Sequence, residues 1–265
     1  MKYLLNIEWL KYRHYKPFWL LVGLYALSLI IVNYIVFEVN SYIQNDSGGK
    51  QLELILGKSA MAFPYVWETV TFSSSFLLSI LGILVILVTT NEFTYKTHRQ
   101  NIIDGFSREE FITSKILSSI ILSAISTAIV AIVAIFIGLI EKNSSFTFER
   151  SYTVLYFFIQ TLSYTMLALL ISTIVRRGVI SIGIYLLYIF MFEHLLMLWM
   201  YKVEIPFAKW LPVQSAEDLL SFPSLENIRK MAPDSGQYDS IFIVPMVYIA
   251  IMVFVTYKRF IKSDL

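Results

Sequence analysis

The chain alternates long apolar runs with short charged segments. Runs at 18–37, 65–90, 108–140, 151–175, 179–200 and 241–257 each reach the roughly 17–25 helical residues that cross a hydrocarbon core. The third begins in charge and turns apolar from Ile116. This pattern predicts an all-α integral membrane protein, a single transmembrane domain over 1–265 with six transmembrane helices. Residues 1–16 differ. Two apolar stripes, Tyr3/Ile7/Leu10 and Leu5/Trp9/Tyr12, are separated by Lys2, Asn6 and Arg13 on one side and by Glu8 and Lys11 on the other. An N-terminal interfacial helix fits that spacing, and a basic leader that only orients the first span is the alternative. Pro17 marks the break between this segment and the first span.

The segment 91–107 cannot enter lipid, because Glu92, Lys96, Arg99 and Asp104, with Arg108, Glu109 and Glu110 just beyond, are too costly to bury unpaired. It predicts a short helix standing in water at a membrane face. Asp104-Gly105 reads as its stop, since glycine takes positive φ without a Cβ penalty. Ser107 then reads as the next N-cap, Glu110 completes a capping box, and Phe106 with Phe111 forms a hydrophobic staple. The helix that follows, 108–140, is about 50 Å long at 1.5 Å per residue, so its first turns stand outside the hydrocarbon.

Within the spans, Asn33 reads as a helix-to-helix hydrogen bond. Ser73, Ser74, Ser75 and Ser79 in the second span either allow close packing or line a polar path. Glu193-His194 is the one ionisable pair inside a span; it is close enough to Trp199 to be wetted, and reads either as a structural or vestibule element or as a proton or cation site. The interval 201–240, interrupted by Pro206, Pro212, Pro223 and Pro233, predicts short outer-face helices, one of them 216–220 with Ser215 as its cap.

Composition narrows the functional classes. At 57% hydrophobic and 15% charged, against about a quarter charged in soluble domains, the chain is membrane-embedded, with membrane lipid as its surroundings. Lys and Arg favour the segments that share a side with the N-terminus, which places both termini inside. No basic run suggests nucleic acid. Cysteine is absent, and His14, His98 and His194 lie in separate regions, so no metal constellation is expected. Gly57-Lys58-Ser59 mimics the end of a phosphate-binding loop, but Leu52 stands where the upstream glycine is required. No nucleophile, base and orienting group can be named together. An enzyme is not expected.

The succession of Glu92, a short polar helix ending at Gly105, Ser107-Arg108, and Lys115 opening the next membrane helix resembles ABC-2 type transporter permeases. The resemblance extends to the order of spans and to Leu211-Pro212 after the fifth, and so covers most of the chain. It implies a permease subunit of a bacterial exporter in the inner (cytoplasmic) membrane, working with a separate ABC ATPase subunit that binds ATP and magnesium. This chain itself would bind no cofactor. The segment between spans two and three would be the cytoplasmic coupling helix, with Glu92, Tyr95, Lys96, Arg99, Gln100, Asp104, Gly105 and Arg108 as coupling residues and Lys115 as an inner-face contact. A second permease copy or a paralogue would complete a path along spans two and five, for which Ser75, Ser79, Tyr185 and Glu193 are the candidates. The alternative is a stand-alone channel or secondary carrier, against which the chain shows no internal repeat of interrupted helices.

Overall fold

A computed structural model describes residues 2–45, 60–103, 105–141, 144–205, 207, 210–220 and 242–262. The turn expected at Asp46, the Gly57-Lys58-Ser59 mimic, Asp104 and the interval 221–240 lie outside the described residues. Among those described, the chain is helical and without strands. In order these are α1 (Lys2–Arg13), α2 (Lys16–Asn45), α3 (Val66–Ser75), α4 (Leu78–Thr94), α5 (Thr97–Ile103), α6 (Arg108–Ile140), α7 (Tyr152–Val175), α8 (Gly178–Lys202), α9 (Gln214–Glu217) and α10 (Ile243–Lys262). Five of them, α2, α6, α7, α8 and α10, are long and apolar enough to cross a membrane. The pair α3 and α4, bent by 46° at Phe76-Leu77, is together long and apolar enough to make a sixth crossing if the two act as one span.

α7 is the central post. It packs against α3, α4, α6, α8, α9 and α10, and most of its length is buried, whereas α2 and α8 show much of their surface to lipid. Burial on every side explains how α7 carries so many polar residues. Thr161, Ser163 and Thr165 donate their hydroxyls to the carbonyls of Phe157, Ile159 and Thr161 one turn back, and so need no partner outside their own helix. Asn33 behaves as its sequence suggests, donating to Ser74 Oγ at 3.1 Å and accepting from Ser73 at 2.8 Å, which ties α2 to α3.

Several boundaries differ from the sequence expectation. The break between α1 and α2 falls at His14-Tyr15, and Pro17 sits in the first turn of α2, where its missing N–H has no bond to lose. The expected single second span is two helices, although the break carries Phe76 and Leu77 rather than proline or glycine. Ser215 is not a cap: it lies inside α9, and its hydroxyl donates to the Pro212 carbonyl at 3.1 Å. Residues 211–220 fold inward, with Val213, Leu219 and Leu220 in the main apolar core.

Candidate functional site

The corner between α4 and α6 is built by local signals first. α4 ends at Thr94, Lys96 takes a left-handed φ of 56°, and the chain turns into α5. α5 ends at Ile103, and Gly105 just beyond it has a φ of +105°, with the Gly105 and Phe106 N–H groups donating to the carbonyls of Ile102 and Asn101. The Ser107 hydroxyl then accepts from the Glu110 N–H at 3.1 Å, and the Glu110 carboxylate accepts from the Ser107 N–H at 2.9 Å. That is the reciprocal capping box expected at the start of α6. Phe106 packs on a small cluster of Phe93, Phe111, Ile112 and Phe260. The cluster also brings in the far end of α10, and the Arg108 guanidinium donates to the Ile261 carbonyl at 2.9 Å. Arg176, in the turn from α7 to α8, stands over the Phe93 ring at 5.4 Å. One end of the bundle therefore gathers α1, the corner, the α7–α8 turn and the end of α10.

Beneath the corner lies a buried ionic latch. Lys115 of α6, 2% exposed, donates to Glu8 of α1 at 2.7 Å and to Glu92 of α4. Lys11 of α1 reaches Glu8 at 3.0 Å and Glu92 at 3.3 Å from the more open side. The Tyr12 hydroxyl donates to Glu8 at 2.7 Å, and Ser114 donates to it at 3.3 Å. Two carboxylates face two ammoniums, so the buried set is neutral and its lone pairs are occupied, the condition under which charges tolerate burial. Burial alone would raise the Glu8 carboxyl, but the Lys115 and Lys11 ammoniums outweigh it and bring Glu8 down to about 2. Burial and the adjacent Glu8 carboxylate push the Tyr12 hydroxyl well up, beyond the field of Lys115, so it stays a donor.

The residues assigned to coupling divide by direction. Glu92 and Lys115 point inward and form the latch. Tyr95, Lys96, Arg99, Gln100 and Gly105 stand on the exposed side, joined by Ile103 at 77% exposure, while Arg108 is half-buried. His98, between them, turns in and donates from Nδ1 to the Glu92 carbonyl at 2.9 Å. Glu8 was not singled out by sequence, although it is the sole acid among the first 37 residues and has Lys11 and Tyr12 one turn away. That isolation was its signal.

A second polar region sits halfway along α7. A cavity of about 260 Å³ is bounded by Phe72, Ser75, Phe76 and Ser79 at the α3–α4 break, by Gln160 and Tyr164 of α7, and by His194 and Glu217. α8 is locally widened to a π-turn over Tyr188–Phe192 beside it, a distortion found often at functional sites. Ser75 and Ser79 thus line a cavity, while Tyr185 and Glu193 do not. Tyr185 is fully buried against Gly82, where any Cβ would collide with its hydroxyl. Glu193 is 2% exposed and accepts the N–H groups of Val213 and Gln214 at 2.7 and 2.8 Å, fastening α9 into the bundle. In its place Glu217 reaches the cavity, taking a hydrogen bond from the Tyr164 hydroxyl at 2.5 Å with His194 at 3.9 Å. Burial pushes the Glu217 carboxyl up, despite the opposing effects of Tyr164 and His194.

The family model described as ABC-2 family transporter protein matches residues 4–192, well over half of the chain, a stretch that contains the latch, the corner and most of the cavity. No curated protein matches the chain.

Proposed function

The chain belongs to the ABC-2 transporter family, and from that premise we propose that it is the permease subunit of an ATP-driven exporter whose ATPase is a separately encoded chain. The family is a membrane transport component, and this chain is a multi-pass, membrane-spanning member of it. ATP and magnesium then belong to the partner, because the sequence contains no Walker A loop to hold them. We place both termini and the corner on the cytoplasmic side of a bacterial inner membrane, following the Lys and Arg bias.

The observation that carries this reading is the form of the corner. An exposed face of Tyr95, Lys96, Arg99 and Ile103 stands directly on a buried ionic latch joining α1, α4 and α6. Large apolar and cationic side chains set together on a rigid base form a docking surface, and a push on it is delivered to three helices at once. α4 runs from that latch to the break at Ser75–Leu78, where Ser75 and Ser79 face the cavity that we assign to the substrate path. A second copy or a paralogue completes that path.

Co-expression with an ATPase encoded beside it tests the assignment. Arg99→Glu and Ile103→Asp should each lower co-purification of the ATPase and substrate-stimulated hydrolysis together, while Phe148→Asp, equally exposed but remote from the corner, should change neither. Full association and full stimulation in both corner variants would overturn the docking assignment.

A further inference from the structure

The polar groups around the cavity at the α3–α4 break have spent donors and kept acceptors. The Ser75 hydroxyl donates to the Phe72 carbonyl at 2.7 Å, and the Tyr164 hydroxyl donates to Glu217. His194 Nδ1 stands 3.0 Å from the Ile189 carbonyl, which can only accept, so Nδ1 carries the proton and the neutral ring keeps Nε2 as an acceptor. Gln160, 2% exposed, lines the same cavity, and its side-chain oxygen is buried without a hydrogen-bond partner among the described residues. Lysine and arginine are absent from the lining that the described residues form. The rest of the wall is largely aromatic. Phe72 and Phe76 meet edge to face with 5.3 Å between ring centroids, and Phe190 comes from the widened turn of α8. Phe76 and Phe190 are also largely exposed, which puts aromatic rings where the cavity meets the outer surface of the bundle.

From this arrangement we infer that the ligand of the cavity is an amphiphile with a protonated amine, a primary or secondary ammonium group on an apolar body. The inference rests on the assignment of the cavity to the substrate path and gives that substrate a chemical class. An ammonium brings N–H donors and no acceptor, the complement of a lining with acceptors to spare. Its charge pairs with Glu217, whose carboxylate has no lysine or arginine against it among the described residues. The ligand thereby does for Glu217 what Lys115 does for Glu8 and Glu92, supplying the opposite charge that lets a buried carboxylate stay ionised. The faces of Phe72, Phe76 and Phe190 attract a cation electrostatically, and the same rings give an apolar body a surface to pack on. An anion meets the carboxylate with no cation to offset it, and a neutral alcohol leaves Glu217 without a counter-charge.

Matched probes on the purified full chain in a non-ionic detergent provide the test. Tritiated 4-phenylbutylammonium is displaced by its unlabelled form, by 4-phenylbutan-1-ol and by 5-phenylpentanoate, which share an apolar body and differ in charge. The labelled ammonium should bind saturably, and its unlabelled form should displace it at concentrations about tenfold or more below the alcohol, with the carboxylate weakest. Glu217→Gln removes the charge and keeps an acceptor for the Tyr164 hydroxyl, so it should bring the ammonium down to the level of the alcohol. Ser79→Leu fills the cavity with the carboxylate still in place and should abolish binding, while Phe148→Asp, outside the lining, leaves it unchanged. Absence of saturable binding, displacement by the alcohol at equal concentration, a preference that survives Glu217→Gln, or binding that survives Ser79→Leu would overturn the inference. The ATPase takes no part in the measurement. Failure here with docking at the corner intact strikes the substrate class alone, and failure of docking with the ammonium preference intact strikes the exporter assignment alone.

Discussion

The latch and the mid-bundle cavity both bury carboxylates, and they treat them in opposite ways. At the latch, Glu8 and Glu92 are met by Lys11 and Lys115, the charges cancel, and Glu8 is held ionised. At the cavity, Glu217 has a phenol and a half-exposed histidine for company, and its carboxyl is pushed toward the neutral form. Compensated charge makes a rigid, permanent joint. An uncompensated acid leaves a site whose charge answers to what enters it. The difference fits the work we propose for each: the first to transmit force, the second to meet a substrate.

The comparison breaks most visibly if Lys115 is removed. Lys115→Met leaves Glu8 and Glu92 with only the partly exposed Lys11, and stripping one member from a buried ion set costs about 3–5 kcal/mol. Detergent unfolding should show that loss, with part of it recovered when Glu92→Gln is added; a shift within error would mean the latch bears no load. Glu193 sharpens the other side. Glu193→Leu strands the Val213 and Gln214 N–H groups, a loss of about 1–3 kcal/mol, whereas Glu193→Gln keeps an acceptor and should be nearly neutral. Equal losses in the two variants would point to charge, not fastening, as its role.

Acidity offers the finest discrimination. A depressed carboxyl contributes stability that is complete above its ordinary value of 4.5 and disappears as pH falls toward 2, which describes Glu8. A raised carboxyl contributes most below that ordinary value and loses its contribution as pH climbs through the folded one, which describes Glu217. Thermal unfolding should therefore shift upward between pH 7 and about pH 5, with the gain reduced in Glu217→Gln, and downward on further acidification, with the loss blunted in Glu8→Gln. A single monotonic trend that both variants share would contradict the contrast.

What could be read from the sequence was what neighbours in the chain decide. The capping box of Ser107 and Glu110, the stop at Gly105 and the full extent of α6 are short-range features and stand where the residues indicated. The bend at Phe76-Leu77 was hidden because no proline or glycine announces it, and the turn at Lys96 because a lysine gives no sign of left-handed φ. The latch joins residues 107 and 23 positions apart, and no periodicity encodes such pairings. Glu193 drew attention as an acid within a span, and it fastens a short helix, while Glu217, in a segment read as outer-face helices, faces the cavity. A charge can be located from sequence; its partner cannot.

The 107 positions that separate Glu8 from Lys115 in the chain also set an order of assembly. A ribosome adding about 5–20 residues per second needs roughly 5–20 seconds to bring Lys115 out after Glu8. On the interfacial placement expected of α1, the helix waits through that interval at the membrane surface with its one acid hydrated, held by its apolar stripes. The apolar stripes are thus what keeps the newborn helix within reach until its partner arrives.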